Sequence, residues 1–189
     1  MKQENYDIKR CIFYFDYGYF HSSTNRERAM NLKKNAKKIG IGIGVIFLLI
    51  QFIQPNRENP VVDSAVTLQA KVNVPGDVDA ILRRACYDCH SSETKWPFYS
   101  YIAPASWLVS YDVKEGRREM NFSEWGNYKK KKQARRLSAI PSEIENGAMP
   151  MPKYLLLHSE ARLSDADKAV LIHWAKTEYS KIMGSESEE

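Results

Sequence analysis

Apolar residues are distributed unevenly along this 189-residue chain, and their densest run lies in its first third. From Ile39 to Ile53 the sequence reads IGIGIGVIFLLIQFI, interrupted only by glycines and Gln51. As an α-helix this run would reach about 22 Å, which is shorter than the ~30 Å hydrocarbon core of a bilayer unless flanking residues contribute. The pattern therefore predicts a minimal membrane span or the apolar part of a secretion signal, with a buried core helix as the alternative.

Basic residues flank this run on one side. Four lysines lie within residues 33–38, whereas Arg57 is the one basic residue close behind the run. Such a bias places the N-terminal side in the cytoplasm. Small residues that would mark a cleavage site are missing after the run. We therefore predict that residues 39–54 are an uncleaved, single-pass transmembrane signal anchor and that the rest of the chain lies outside the cytoplasmic membrane.

Residues 1–38 would then form a cytoplasmic leader. Its first 29 residues are polar and rich in tyrosine, which is unusual ahead of a signal anchor. Met30 opens a more typical start, because MNLKKNAKK leads directly into the apolar run. Our hypothesis is that translation begins at Met30. Recovery of a peptide from residues 1–29 of the native protein would contradict it.

Periodic apolar positions predict short helices in the exposed part. Residues 55–75 read as a linker, and the folded unit is expected over 76–183. Within it, Val78, Ile81, Leu82 and Ala85 recur at helical spacing, which predicts a helix over residues 77–86. A loop rich in aromatic residues and prolines follows.

Three further helices are predicted downstream. Pro104 opens one that continues through Tyr111. Residues 123–146 are expected to be mostly helical, with Ser123 as the N-cap and Gly147 at the end. The prolines of Met149-Pro150-Met151-Pro152 then favour an extended segment.

The last predicted helix begins at a capping box formed by Ser164 and Asp167, and it should end near Met183. Its apolar face comprises Val170, Leu171, Trp174 and Ala175. Residues 184–189 form an acidic tail. The fold class is therefore all-α: a small helical domain behind an N-terminal anchor.

Composition supports a folded domain and limits the classes of partner that it is expected to bind. Hydrophobic residues make up 43% of the chain, with four Trp, eleven Tyr and seven Phe, so global disorder is excluded. The net charge of +5 is concentrated near residues 33–38 and 129–136, which gives no indication of nucleic-acid binding. Only three cysteines occur, so a disulfide framework is not expected.

Two of those cysteines form the motif Cys86-Tyr87-Asp88-Cys89-His90, a CxxCH sequence. Residues three apart lie on one side of a helical turn, so both thiols can add to the two vinyl groups at one edge of a haem. The imidazole of His90 can then bind the iron from one face. The motif predicts one covalently attached haem c per chain.

A CxxC pair has two other common uses. A zinc site needs two more Cys or His ligands at suitable spacing, but His158 and His173 lie fifteen residues apart and no second cysteine pair accompanies them. A thioredoxin-like thiol pair would need a preceding strand, whereas residues 77–86 are helical in pattern. Both interpretations are weaker than haem attachment.

The sixth iron ligand has three candidates. Met149 is preferred, because it follows a helix that ends at a glycine and lies in a loop constrained by prolines. It also stands 59 residues after His90. This part of the chain resembles small class I cytochromes c, whose ligand methionine is placed in a similar way. Met151 and His158 remain rivals, whereas Met120, Met183 and His173 are expected to be packing or exposed residues.

Other residues are candidates for the surroundings of the haem. Ring surface is expected from Trp96, Tyr99, Trp107 and Tyr154, which are equally good candidates for general core. Arg117 or Arg118 is a candidate partner for a haem propionate, with a solvated helix face as the alternative for both. The basic run at 129–136, which comprises Lys129 to Lys132 with Arg135 and Arg136, is interpreted as a solvated helix face, or else as a docking surface for an acidic redox partner or anionic lipid.

The stretch from about Gly76 to Ala175 resembles the bacterial haem-binding domain family, whose members pair a short N-terminal anchor with a single CxxCH. The likeness rests on ACYDCHSSETKWPFYSYIAPASWLV, DVKEGRREMNFSEW and GAMPMPKYLLLHSEARLSDADKAVLIHW. The resemblance implies a monohaem c-type domain. Together with the orientation predicted from the charge bias, we expect this domain to face the periplasm from the bacterial inner membrane. The resemblance carries the attachment roles onto Cys86 and Cys89 and the proximal role onto His90, and it leaves the distal ligand open.

The expected function is electron transfer outside the cytoplasmic membrane, with a redox partner protein and no chemistry on a substrate. The alternative is a haem-based sensor or a peroxidase-like enzyme, either of which needs an open or exchangeable sixth iron position. A thiol oxidoreductase is the third class. It would show titratable thiols and no covalent haem.

Overall fold

The computed structural model describes the backbone of residues 32–186, which divides into two compact units at Ile53. The described residues form α- and 3-10 helices and no β-strand, which confirms the all-α prediction. Residues 1–29 with the start at Met30, and the last three residues of the acidic tail, lie outside the described part.

The first unit contains helix α1, residues 32–50, whose side chains are almost all exposed within it. The described part of the helix covers the seven residues before the apolar run and includes all four lysines of residues 33–38. Within residues 32–186, no helix combines the length and the apolar character that crossing a bilayer requires. The transmembrane anchor over residues 39–54 therefore stays a prediction.

The second unit begins before the predicted domain start. Residues 55–75, expected to be a linker, contain helix α2 (Leu68–Lys71), and Leu68 is fully buried in the core. Asn59 donates a hydrogen bond to the carbonyl of Thr94 at 2.9 Å, and Gly126 N–H donates to the carbonyl of Val66 at 2.7 Å. This segment is therefore part of the packed domain.

The next helices carry and support the cysteine motif. Helix α3 (Gly76–Ala85) leads through Cys86 into the one-turn helix α4 (Tyr87–His90). After a 3-10 turn (Phe98–Tyr101), helix α5 (Ala105–Glu119) packs against α4.

The helix predicted over 123–146 is divided in two. A 3-10 helix (Phe122–Asn127) precedes α6 (Lys130–Glu145). Ser123 is not the N-cap: the side chain of Asn121 accepts from Ser123 N–H at 3.0 Å, while the Ser123 hydroxyl accepts from Ser92 N–H at 3.0 Å. Gly147 follows α6 with a φ of +68°, a left-handed conformation that favours glycine, as predicted for the end of this helix.

Short 3-10 turns (Tyr154–Leu156 and Ser159–Ala161) lead to the last helix, α7 (Asp165–Glu186). The capping box is present, since Ser164 N–H donates to Asp167 Oδ2 at 2.8 Å and Asp167 N–H donates to Ser164 Oγ at 3.1 Å. Helix α7 packs along α6 and closes the core. The largest buried side chains of that core are Trp125, Phe122, Leu68, Leu82, Leu137 and Leu171.

Candidate functional site

Cys89 lies in the motif helix α4, and Cys86 is the N-cap residue directly before it. Cys86 N–H closes α3 on the carbonyl of Leu82 at 2.8 Å, and His90 N–H donates to the carbonyl of Cys86 at 2.9 Å. Cys86 and Cys89 therefore lie at the two ends of one helical turn, and both are partly buried. The spacing that the sequence analysis used is realised as a turn of helix.

Helix α5 supports this turn at close range. A Cβ atom built on Gly116 would collide with the carbonyl group of Cys89. Because real Cβ atoms do not approach a carbonyl so closely, this contact requires glycine. The sequence analysis did not identify Gly116, since a glycine inside a helix shows no partner in the sequence.

Arg117, the next residue, holds the loop after the motif. Its Nε donates to the carbonyl of Ser91 at 2.7 Å, and its NH2 nitrogen donates to Thr94 Oγ1 at 2.9 Å and to Asn59 Oδ1 at 2.7 Å. Arg118 is exposed and pairs with Glu115 and Glu119. Nε and NH2 of Arg117 are thus engaged within the protein, and Arg118 pairs with neighbouring carboxylates. The pairing of either arginine with a haem propionate stays a prediction.

The ring of His90 is oriented by a backbone carbonyl. Its Nδ1 lies 3.0 Å from the carbonyl oxygen of Met120. A carbonyl can only accept, so Nδ1 carries the proton and Nε2 retains the lone pair that a metal requires. Burial lowers the pKa of His90, against the effect of the hydrogen bond to Met120. The imidazole is therefore neutral at pH 7.

The pKa values of the two thiols are shifted in the opposite direction from those of a redox-active cysteine pair. Burial raises the pKa of Cys86 to about 12, and burial with the nearby carboxylate of Asp88 raises that of Cys89 to about 12. Catalytic thiols have a lowered pKa. In addition, no cluster of three His, Cys, Asp or Glu side chains suited to a metal ion occurs among residues 32–186. The thiol-redox and zinc alternatives therefore lack support.

Two adjoining cavities lie against the motif helix, with volumes of about 140 and about 370 Å³. They share a wall formed by Ala85, Cys86, His90, Glu119, Met149 and Pro150. The larger cavity has mostly apolar walls, which include Leu82, Phe122, Ile140, Ile144, Leu163 and Leu171. A mostly apolar pocket of this size with a few polar groups is typical of a cofactor site.

The three candidates for the sixth ligand are placed differently. Met149 lines both cavities together with Cys86 and His90. Met151 lines the smaller cavity and a neighbouring cleft. His158 lines neither cavity. Its Nε2 lies 2.6 Å from the hydroxyl of Tyr99, and its Nδ1 lies 3.0 Å from Glu160.

The aromatic residues expected around the haem are only partly brought together. Tyr154 lines the smaller cavity, stacks on His158 at 4.1 Å between ring centroids, and donates to Asp88 Oδ2 at 2.8 Å. Tyr99 lines the neighbouring cleft with Cys89. Neither Trp96 nor Trp107 lines a described cavity at the motif.

The basic run is divided between two environments. Lys129, Lys131, Lys132 and Arg135 line a shallow surface site with Tyr179 and Met183. Arg136 instead lines the larger cavity at the motif and pairs with Glu119 at 2.9 Å. Sequence reasoning grouped all of them together, because consecutive charges on a helix do not reveal which one points inward. His173 is exposed on α7, and Met120 packs against the core, as expected.

The comparisons with known proteins agree with this geometry. The profile of a family described as "Haem-binding domain" matches residues 45–177, which is more than half of the chain. The chain belongs to the haem-binding domain family. Among curated proteins, it is 26% identical over 105 residues to cytochrome c peroxidase Ccp of Escherichia coli strain K12. That match covers 54% of this chain and 23% of the relative, so the chain spans less than a quarter of the relative's length. No solved structure matches this chain significantly.

The residues at the cavity of this haem-binding domain fit the chemistry of a haem. The neutral nitrogen of His90 and the thioether sulfur of Met149 are ligands that haem iron takes, and the apolar walls suit a porphyrin face. Cys86 lines both cavities and Cys89 lines the smaller one, so both thiols border the space that the ring would occupy.

Proposed function

We propose that this haem-binding domain is a monohaem c-type cytochrome that carries electrons. The observation that carries the proposal is the helical turn at the motif, which presents two partly buried thiols and a neutral imidazole to an apolar cavity. In this proposal Cys86 and Cys89 form the thioether bonds, and His90 is the proximal ligand. One cofactor is attached per chain.

Met149 is the proposed distal ligand. It shares a cavity wall with His90, whereas His158 already bonds to Tyr99 and Glu160. Met151 is the remaining rival, because it lines the smaller cavity. A methionine sulfur in the sixth position closes the iron to external ligands and favours electron transfer.

When bound, haem supplies an iron that takes up and releases one electron. The protein supplies the surroundings. Leu82, Ile140 and Leu171 give the larger cavity apolar walls, and the carbonyl of Met120 keeps the proton of His90 on Nδ1. The apolar walls would shield a bound haem from solvent, and the hydrogen bond would hold the His90 ring in one orientation toward it.

A peroxidase-like enzyme or a haem-based sensor is the second candidate. The partial similarity to a cytochrome c peroxidase favours the peroxidase over other enzymes. This function needs an open or exchangeable sixth position, which a bound Met149 would block. Carbon monoxide binding by the reduced protein distinguishes the two candidates: a cytochrome with Met149 bound resists it, whereas a peroxidase or sensor binds it readily.

The proposal includes a location on the periplasmic side of the bacterial inner membrane, since covalent haem attachment takes place outside the cytoplasm. The apolar part of α1 exposes Ile46, Leu48 and Leu49, which suits association with a bilayer. A redox partner protein is proposed to exchange electrons with the domain. Protease digestion of intact spheroplasts tests the location, because an exposed domain is degraded and a cytoplasmic one is protected.

Haem staining on a denaturing gel tests attachment directly. The full wild-type chain and a double variant that carries both Cys86→Ala and Cys89→Ala are expressed in cells that mature cytochromes c. We expect staining and a haem-sized mass increase in the wild type, and both should be lost from the double variant. A colourless wild-type protein whose mass equals that of the polypeptide would overturn the proposal.

A further inference from the structure

Arg136 is the charged side chain of the basic run that turns away from solvent. It lies on α6, and 16% of its side chain is exposed. The side chain lines the larger cavity at the motif, together with His90 and Met149. An arginine in a mostly apolar cavity needs a negatively charged or hydrogen-bonding partner.

The guanidinium has one such partner, and one of its donor nitrogens is buried without any. Its NH1 nitrogen donates to Glu119 Oε2 at 2.9 Å. Its Nε is fully buried and has no hydrogen-bond partner in the part of the chain that the structure describes. Buried donors are almost always paired in folded proteins, so an unpaired one beside a ligand cavity indicates a missing acceptor.

The position of Arg136 relative to the attachment residues indicates which group supplies the missing acceptor. Of these two cavities, Cys86 lines both and Cys89 lines the smaller one only, whereas Arg136 lines the larger one only, away from Cys89. A haem held by thioethers has its two vinyl-derived bonds on one edge and its two carboxylates toward the opposite edge. Arg136 therefore borders the part of the cavity where a carboxylate would lie.

We propose that Nε of Arg136 donates a charge-assisted hydrogen bond to a haem carboxylate, and this inference rests on the proposed haem site. The guanidinium then bridges two carboxylates, that of Glu119 and that of the cofactor, which its fork of donors allows. Arg136 is a positioning residue in this role. The sequence predicted a similar role for Arg117 or Arg118.

Reversible binding gives the sharpest test. In the full chain with Cys86→Ala and Cys89→Ala, haem binds without covalent bonds, and its affinity can be compared with that of haem dimethyl ester, which lacks both charges. We expect the ester to bind about tenfold to a hundredfold more weakly than haem, because a charge-assisted hydrogen bond is lost. In the same background, Arg136→Gln should bind haem more weakly by a similar factor and should discriminate little between haem and ester.

Arg135→Gln is the matched control, since Arg135 is the exposed neighbour on the same helix. It should keep the full discrimination. Equal affinity for haem and ester with Arg136 intact would overturn the inference, and this comparison does not depend on the folding of any Arg136 variant. Full discrimination by a folded Arg136→Gln variant would also overturn it.

These outcomes are separate from those of the proposed function. Absence of covalent haem from the matured wild type contradicts the cytochrome proposal. Covalent haem together with equal affinities contradicts only the role of Arg136.

Discussion

The backbone of Gly116 on α5 packs directly on the carbonyl group of Cys89, with no room for a Cβ atom between them. The contact sets the distance between α5 and the motif helix, and that distance in turn positions the second thiol. A single methyl group at this point must therefore displace one helix or the other.

Gly116→Ala is expected to lower the free energy of unfolding by about 1–3 kcal/mol, because overpacking forces a backbone shift. The variant should also attach less haem than the wild type. Urea denaturation of the cofactor-free protein and haem staining measure the two effects. Gly184→Ala on α7 is the control, since an added Cβ there meets nothing within 4 Å. Wild-type stability in Gly116→Ala would show that the contact is not tight in solution.

Met149→Ala tests the distal ligand. Loss of the sulfur should remove the methionine-to-iron charge-transfer band of the oxidised protein and leave a high-spin iron that binds carbon monoxide. Absorption spectroscopy measures both changes. Met151→Ala and His158→Ala are the matched controls and should keep the wild-type spectrum. If Met151→Ala loses the band instead, the ligand is Met151.

The raised pKa values of the motif cysteines, each about 12, predict slow thiol chemistry in the cofactor-free protein. At pH 8 the thiolate fraction of each should be at least a hundredfold smaller than that of an ordinary cysteine with a pKa near 8.5. Iodoacetamide labelling should therefore be slow in the folded protein and fast in urea. A Cys11→Ser background removes the third thiol. Fast labelling of folded protein would favour the thiol oxidoreductase interpretation.

The cap of α7 gives a pH-dependent contribution to stability. Backbone and side-chain hydrogen bonds from Ser164 lower the pKa of Asp167, and Arg84 lies 3.0 Å from its carboxylate. Because the folded pKa lies below the unfolded value of 3.8, this contribution is present above that pH and is lost as the pH falls through the folded pKa.

Asp167→Asn should therefore lower the free energy of unfolding by about 0.5–1 kcal/mol at pH 7 and by less at pH 2, because the stabilising charge is lost as the pH falls through the folded pKa. Chemical denaturation at the two pH values measures the difference. Asp165→Asn is the control, because the Asp165 side chain is fully exposed. An equal loss at both pH values would show that shape, and not charge, stabilises the cap.

Local signals in the sequence predicted much of this fold and part of the site. The CxxCH spacing, the Ser164 and Asp167 box and Gly147 each act within a few residues, so their geometry follows from the chain itself. Ser123 was assigned wrongly for two reasons: Asn121, two residues earlier, caps the turn in its place, and the distant Ser92 uses the serine hydroxyl.

The remaining features depend on contacts between distant segments. Arg117 binds residues up to 58 positions away, and Arg136 reaches Glu119, 17 positions away. Nothing in the local sequence distinguishes these arginines from their exposed neighbours. The burial of Leu68 likewise becomes evident only when α2 is seen against the core. Long-range pairing is thus where reasoning from sequence alone failed.

Leu171 of α7 lines the larger cavity, although it follows Cys86 by 85 positions. At roughly 5–20 residues per second, ribosomal synthesis separates these two residues by several seconds. During that interval the cysteines are already made, while one wall of their pocket does not yet exist. We expect the maturation machinery to work best on such an open chain, and a chain truncated before α7 that still stains for haem would demonstrate it. Haem attachment would then come before the completion of its pocket, because the cysteines are synthesised before α7.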